Sequence, residues 1–171
     1  MQKIIAEIKA KCPDPDKIKN ILLSKSAFFK GIDHQIDTYF KVNNGRLKLR
    51  EGQIENTLIH YKRKNIAGPK KSEVILYKPE VNASLKEVLI AANDVLVVVD
   101  KKRGIYFIDN VKFHIDQVEH LGSFVEIEAI GESDYDSLWA QCEMYIKLFD
   151  IKDKDLIDCS YSDLLMSLQY V

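Results

Sequence analysis

Lys112-Phe113-His114-Ile115-Asp116 and, after a short turn, Glu126-Ile127-Glu128 carry a charged or polar side chain at every second position, with aliphatic or aromatic residues between. A strand sends successive side chains to opposite faces, so each stretch gathers its charges on one side. The same alternation occurs in Glu7-Ile8-Lys9-Ala10-Lys11 and in Arg46-Leu47-Lys48-Leu49-Arg50. In an ordinary half-buried sheet such faces look into water. The alternative is a set of strands that turn their charged faces toward one another around a shared wet cavity. Only that arrangement gives the chain a chemistry.

The rest of the chain reads as further strands interrupted by helices. Strand candidates are 3–11, 36–42, 45–51, 57–64, 72–78, 95–102, 104–109, 111–117 and 123–130. Asn43-Asn44-Gly45 is a hairpin turn, because Asn and Gly tolerate positive φ. Gly104 and Asp109-Asn110 mark two more turns by the same logic. Asp14-Pro15-Asp16 opens a helix, with Asp14 as N-cap and Pro15 in the first turn. Ile18, Ile21, Leu22, Phe28 and Phe29 continue one helical face up to Gly31. Ser84-Leu85-Lys86-Glu87 has capping-box form and predicts a second helix with Leu85, Val88, Leu89 and Ala92 inward. Ser133 to Asp136 predicts a third, whose face carries Leu138, Trp139, Cys142, Tyr145, Ile146 and Phe149. A short helix around Leu164 to Leu168 ends the series. So many antiparallel strands predict an α+β domain spanning 1–171, a closed or nearly closed barrel with helices packed outside.

Composition narrows the functional classes. The chain has 171 residues, 46% of them hydrophobic and 30% charged, which suits a globular domain that buries its own core. Its net charge of −1 gives no overall basic field, which argues against a nucleic-acid partner. The basic loop Lys62 to Lys71 lacks interleaved aromatics, so it is a weaker nucleic-acid patch than a phosphate-binding loop. Cys12, Cys142 and Cys159 are odd in number and form no Cys-x-x-Cys pair, as in a reduced cytoplasmic protein. Lys3 and Glu7 interrupt any signal peptide, and the apolar run Val95 to Val99 is too short to cross a bilayer.

Turned inward, the periodic faces would bring together Lys9, Lys11, Arg46, Lys48, Arg50, Lys101, Arg103 and Lys112, with Glu7, Asp116, Glu126 and Glu128 among them. A dry core cannot hold such a set, because each unpaired buried charge costs several kcal/mol. A wet cavity that binds a polyanion can. Guanidinium and ammonium groups would take phosphate oxygens, and the carboxylates make sense as oxygen ligands for Mg²⁺ or Mn²⁺. His114 shares the parity of Lys112 and Asp116, and either orientation is open to it. His34, His60 and His120 read as surface or loop residues, Tyr39 and Tyr61 as core-edge packing, and Trp139 as core. In 57–64, His60, Lys62 and Lys64 share one face while Tyr61 and Arg63 share the other.

Glu7-Ile8-Lys9-Ala10-Lys11 resembles the E-x-E-x-K signature of the CYTH superfamily, the triphosphate tunnel metalloenzymes. The run from Lys112 to Glu128 resembles that family's basic-x-H-x-D-x-V-x-x-L-G-x-F-x-E-x-E segment. Gly45 to Arg50 is similar to its G-R-L-R-x-R strand, and Lys101-Lys102-Arg103 to its K-x-R strand. Leu58 to Arg63 and Gly68-Pro69-Lys70-Lys71-Ser72 resemble the branch labelled class IV adenylyl cyclase. The resemblance implies an eight-stranded antiparallel tunnel that binds a triphosphate with a divalent metal. By position it implies Glu7, Glu126, Glu128 and Asp116 as metal ligands. Lys11, Arg46, Lys48, Arg50, Arg63, Lys101 and Arg103 would bind phosphate, joined by Lys9, Lys70 and Lys112. Glu7, Lys11, Arg46 and Lys101 are the candidate catalytic residues. Lys9 departs from the family pattern, which has a second Glu there, and this favours one metal ion over two.

The family resemblance leaves three activities open. The first is hydrolysis of inorganic triphosphate or of an organic one such as thiamine triphosphate or ATP. The second is adenylyl cyclase chemistry, and the third is binding without turnover. No base-recognition motif is visible, so hydrolysis is the expectation. A monomer and a homodimer are both compatible with the sequence.

Overall fold

The computed structural model describes residues 4–62, 73–80, 83–132 and 134–168. Its elements run β1 (Ile4–Lys11), α1 (Pro15–Ser24), β2 (Phe28–Phe40), β3 (Arg46–Glu51), β4 (Thr57–Lys62), β5 (Glu73–Tyr77), α2 (Ala83–Asn93), β6 (Val95–Ile108), β7 (Val111–Val118), β8 (Gly122–Gly131), α3 (Tyr135–Leu148) and α4 (Tyr161–Leu168). The strands form one antiparallel sheet in the order β1-β8-β7-β6-β2-β3-β4-β5. The sheet curls strongly into a half-barrel, and its two edge strands, β1 and β5, line a common cavity.

The two faces of the curl differ in chemistry. On the convex side, Ala6, Ile8 and Ala10 of β1, Phe113 of β7, and Val125, Ile127 and Ala129 of β8 pack with Ile18 and Leu22 of α1. Leu138, Cys142, Tyr145 and Phe149 of α3 complete this layer. Phe113 meets the Tyr145 and Phe149 rings edge-on, with centroids 4.6 and 5.8 Å away. The aliphatic residues between the periodic charges therefore make the main core, outside the sheet, and the charges are left for the concave side.

At one end of the concave side the strand positions turn apolar: Tyr39, Tyr61, Val97, Val99, Val118 and Phe124. There α4 packs Tyr161 and Leu165 against them. Thus α4 is a helix on the inner face, in contrast to the expectation that all helices lie outside. An apolar inner surface must be covered, and α4 carries the residues to cover it.

Other local expectations need adjustment. The first helix stops at Ser24, with Lys25 at its C-cap and Ser26 at φ 58°, so Phe28 and Phe29 belong to β2. They lie opposite Phe107 and Tyr106 of β6, where flat aromatic side chains stack across strands. Gly104 is not a turn: β6 runs through it, and the two strands expected at 95–102 and 104–109 are one. A Cβ there would sit 3.1 Å from the Tyr106 ring, so the glycine makes room for that side chain. The turns at Gly45 (φ 70°) and Asp109 (φ 49°) stand as expected. Asp134, accepting from the Ser137 backbone N–H, caps α3, and Ser133 lies outside the described residues. The helix α2 is largely solvated, with Val88 exposed where an inward face was expected. No described helix is long and apolar enough to cross a membrane.

Because Phe113 fills the seam between sheet and α3 completely, Phe113→Ala should cost about 3–5 kcal/mol of stability. Urea denaturation checks this, and a loss below about 1 kcal/mol would contradict the placement of the core.

Candidate functional site

The inward positions of neighbouring strands fall into register and build the site row by row. Glu7 lies opposite Glu128, and Lys9 opposite Glu126, across β1 and β8. Lys112 and His114 oppose the same two glutamates from β7. Arg103 of β6 opposes Asp116 of β7. Asp37 of β2 opposes Arg50 of β3, and Tyr39 opposes Lys48. A cavity of about 210 Å³ is lined by Glu7, Lys9, Asp37, Lys48, Arg50, Lys101, Arg103, Glu126 and Glu128 among others.

One side of this cavity is organised by Asp37. Its Oδ2 accepts from Lys48 Nζ at 2.9 Å, Lys101 Nζ at 2.8 Å and Arg50 Nη2 at 2.9 Å. Its Oδ1 accepts from Arg50 Nε at 2.8 Å. Burial opposes ionisation here, yet Arg50, Lys101 and Lys48 hold the carboxyl well below the usual carboxylate range. Lys101 feels the converse. Burial, with Arg50, Arg103 and Lys48 nearby, lowers its pKa to about 7 against the opposing pull of Asp37.

The other side is a network around Glu126. Its Oε1 is 3.1 Å from Lys9 Nζ, and its Oε2 accepts from Arg103 Nη2 at 2.9 Å. His114 Nδ1 lies 2.9 Å from that same Oε2 and 3.7 Å from Glu128 Oε1. Arg103 also grips Asp116 bidentately at 2.7 and 2.6 Å, and the Tyr161 hydroxyl donates to Asp116 at 2.8 Å. The Lys9 ammonium sits 3.9 Å above the Tyr161 ring. Despite burial, Arg103 and Lys9 hold Glu126 well below its ordinary value. Burial and the neighbouring carboxylates push the Tyr161 phenol well above its own.

A third group adjoins the site through Arg50. Asp33 accepts from the backbone N–H groups of Gln53, Ile54 and Glu55 at 2.8–3.0 Å, which fixes the loop after β3. That loop delivers Glu55 to Arg50 at 2.9 Å and to Lys112 at 2.6 Å.

Most of the residues expected from the sequence converge here, with differences in their engagement. Lys9, Lys48, Arg50, Lys101, Arg103, Glu7, Glu126 and Glu128 line the cavity. Asp116, expected as a metal ligand, is not among the residues lining this cavity: Arg103 holds both of its oxygens and Tyr161 donates to one of them. Lys112 is turned toward Glu55. Arg46 reaches Ser160 Oγ at 2.8 Å and Asp163 at 3.0 Å, in an adjoining cleft beside α4. Lys11 is exposed at the end of β1. Arg63 and Lys70 lie outside the described residues. In β4 the structure selects the Tyr61 face as the inward one.

Asp33, Asp37, Glu55 and Tyr161 escape a reading of charged alternation. Asp33-x-Gln35-x-Asp37-x-Tyr39 does carry the period of two, but its partners His34 and Thr38 blur the contrast. Glu55 lies in a loop, where no periodicity exists to expose it. The three free thiols take no part, and burial pushes Cys12 and Cys142 up to about 11, away from a nucleophilic thiolate.

The donor set is compatible with a divalent ion. His114, Glu126 and Glu128 each place a ligand atom within 4.8 Å of the others, and Glu7 stands opposite Glu128. Glu126 is already neutralised by protein cations, so its loss should be structural first. Glu126→Gln strands Lys9, leaves Arg103 with Asp116 alone, and should cost about 3–5 kcal/mol. The less buried Glu128→Gln should cost under about 1 kcal/mol. Since Glu126 is held below its unfolded-state pKa, its contribution is present above that value and fades as the pH drops through the lowered one. Denaturation curves at neutral pH and at acid pH test both statements; equal losses for the two variants would contradict the network.

The comparisons with known proteins follow the geometry. The structure matches PH1012 from Pyrococcus horikoshii OT3 with a TM-score of 0.75 at 21% identity, over 94% of this chain and 98% of that one. It matches a proposed adenylate cyclase from Vibrio parahaemolyticus with a TM-score of 0.74 at 18% identity, over 97% and 99% of the two chains. It also matches HpAC1 from Hippeastrum, a proposed adenylyl cyclase described as having a dominant triphosphatase activity. That match has a TM-score of 0.64 at 14% identity, over 97% and 96% of the chains. No curated protein sequence matches. At these identities the likeness shows the fold. The family itself is shown by the sequence model for the CYTH domain, which matches residues 3–157, and so the chain belongs to the CYTH domain family.

Proposed function

We propose that this chain, working as one domain, binds a triphosphate compound in the curled sheet and hydrolyses one of its phosphoanhydride bonds with the help of a divalent ion. The observation that carries this reading is a single cavity whose lining combines Lys48, Arg50, Lys101 and Arg103 with Glu7, Glu126 and Glu128. Phosphoryl transfer needs little covalent chemistry from a protein. Positioning the phosphates and neutralising the charge that develops on their oxygens supply most of the barrier reduction. Water attacks the terminal phosphorus, the bond to the bridging oxygen breaks, and the remaining diphosphate takes up the charge on that oxygen. Arg50 and Arg103 present forked donors to phosphate oxygens, and Lys48 and Lys101 present point charges.

Asp37 holds Lys48, Arg50 and Lys101 in place before the ligand arrives. Glu7 and Glu128, with His114 beside them, would hold Mg²⁺ or Mn²⁺, which would supply positive charge to offset that of the phosphates. Lys9 already supplies a cation at Glu126, which favours a single ion. The free thiols suit a reducing cytoplasm.

Incubation with inorganic triphosphate, thiamine triphosphate or ATP and Mg²⁺ or Mn²⁺ should release orthophosphate, and Glu128→Gln should abolish the release without unfolding the protein. Pyrophosphate with cyclic AMP would instead identify a cyclase. A rise in melting temperature with no product would identify a binding protein.

The affinity for triphosphate should also fall as the pH rises above about 7. The free Lys101 ammonium loses its proton in that range, and a bound anion must restore it. Lys101→Arg stays protonated and should flatten this slope in calorimetric titrations. An unchanged slope would remove Lys101 from the phosphate contacts.

A further inference from the structure

One ionic cluster takes no part in the proposed reaction. Glu55 stands on the loop between β3 and β4, and each of its carboxylate oxygens has a donor. Oε1 accepts from Lys112 Nζ at 2.6 Å. Oε2 accepts from Arg50 Nη1 at 2.9 Å and from Gln35 Nε2 at 3.1 Å. Burial opposes ionisation, yet Lys112 and Arg50 hold the carboxyl below its ordinary range, so this spot carries an anion at neutral pH. Arg50 is among the residues lining the cavity and Lys112 is not. Glu55 therefore links a cation of the cavity to one that lies outside its lining.

The loop is built to keep that carboxylate where it is. Asp33, fully buried, accepts from the backbone N–H groups of Gln53, Ile54 and Glu55. Gly52 allows this close approach, since a Cβ there would sit 2.6 Å from Asp33 Oδ2. Gln35 ties the two carboxylates together, donating to Asp33 at 2.9 Å as well as to Glu55. Arg50 is fixed from its other side by Asp37, which takes Nε and Nη2 and leaves Nη1 for Glu55.

Two cationic donors and an amide N–H converging on one anion make a set that also suits a phosphoryl group. The oxygens of a carboxylate and those of a phosphoryl group are spaced alike, so a ligand phosphoryl placed there would need the donors that Glu55 holds. Building on the triphosphate reading above, we propose that Glu55 limits the length of the polyphosphate chain: its carboxylate fills the place of one further phosphoryl group at Arg50, Lys112 and Gln35. A chain longer than a triphosphate then finds Lys112 already neutralised and gains no contact from its extra group.

The test is a calorimetric titration of the full chain, with Mg²⁺ present, against the methylene-bridged analogues of linear triphosphate and tetraphosphate, whose P–C–P links resist hydrolysis. The wild type should bind the two with nearly equal affinity. Glu55→Gln, close in shape but uncharged, should bind the tetraphosphate analogue about tenfold more tightly than the triphosphate analogue. The double variant Glu55→Gln/Lys112→Gln should lose that preference. Glu51→Gln removes the same charge from a glutamate paired with Lys86, away from these donors, and should keep the wild-type ratio. An unchanged ratio in Glu55→Gln, or a preference that survives the loss of Lys112, overturns the assignment and leaves the triphosphate reading standing. So does a wild type that already prefers the longer chain about tenfold, a comparison that needs no variant to fold. Failure of both analogues to bind the wild type overturns the two readings together.

Discussion

Asp37 is the contact on which the concave face depends. Lys48, Arg50 and Lys101 come from two strands flanking β2, and all three close on this one carboxylate. Without an anion among them, bringing these cations into a space screened from water would cost more than the strands could return. With it, the cations proposed to take phosphate are positioned before any ligand is present. The site is therefore preorganised and also partly self-neutralised. A triphosphate bound as proposed would compete with Asp37 for Lys48, Arg50 and Lys101, and with Glu55 for Arg50.

This ionic interior is possible because the fold places its hydrophobic core elsewhere. The residues alternating with the charges, such as Ile8, Phe113 and Ile127, pack outward against α1 and α3. One strand thus serves two layers, an oily one that stabilises and a charged one that lines the cavity. Where the inner positions lose their charge, at Val97, Val99 and Val118, α4 covers them and sends Tyr161 to Asp116. The boundary between ionic and apolar lining is set residue by residue along the strands. It decides where the cavity ends.

Much of the site was legible because period-two alternation is a strong signal on strands that are charged on one face. Lys9, Lys48, Arg50, Lys101, Arg103, Glu126 and Glu128 were found that way and meet in one cavity. Asp37 was not, although it sits at the centre, since a lone carboxylate between Ile36 and Thr38 looks like any solvated strand position. Glu55 and Tyr161 reach the site from a loop and a helix, whose direction no local pattern encodes. Phe28, Phe29 and Gly104 misled for a related reason. A helical spacing and a turn-forming residue are weak local preferences, and pairing of β2 with β6 overrides them.

The sequence by itself determined which residues share a face, because side-chain parity is a property of the extended backbone and needs no partner. Whether that face looks out to solvent or in toward its neighbours is a different question. It depends on the curl of the whole sheet and on which layer the helices cover, and both arise from contacts between residues far apart in the chain. The tertiary structure alone decided that the charges face one another. It also decided which cation pairs with which carboxylate, since those distances exist only once β1, β2, β3, β6 and β8 have closed around the same space.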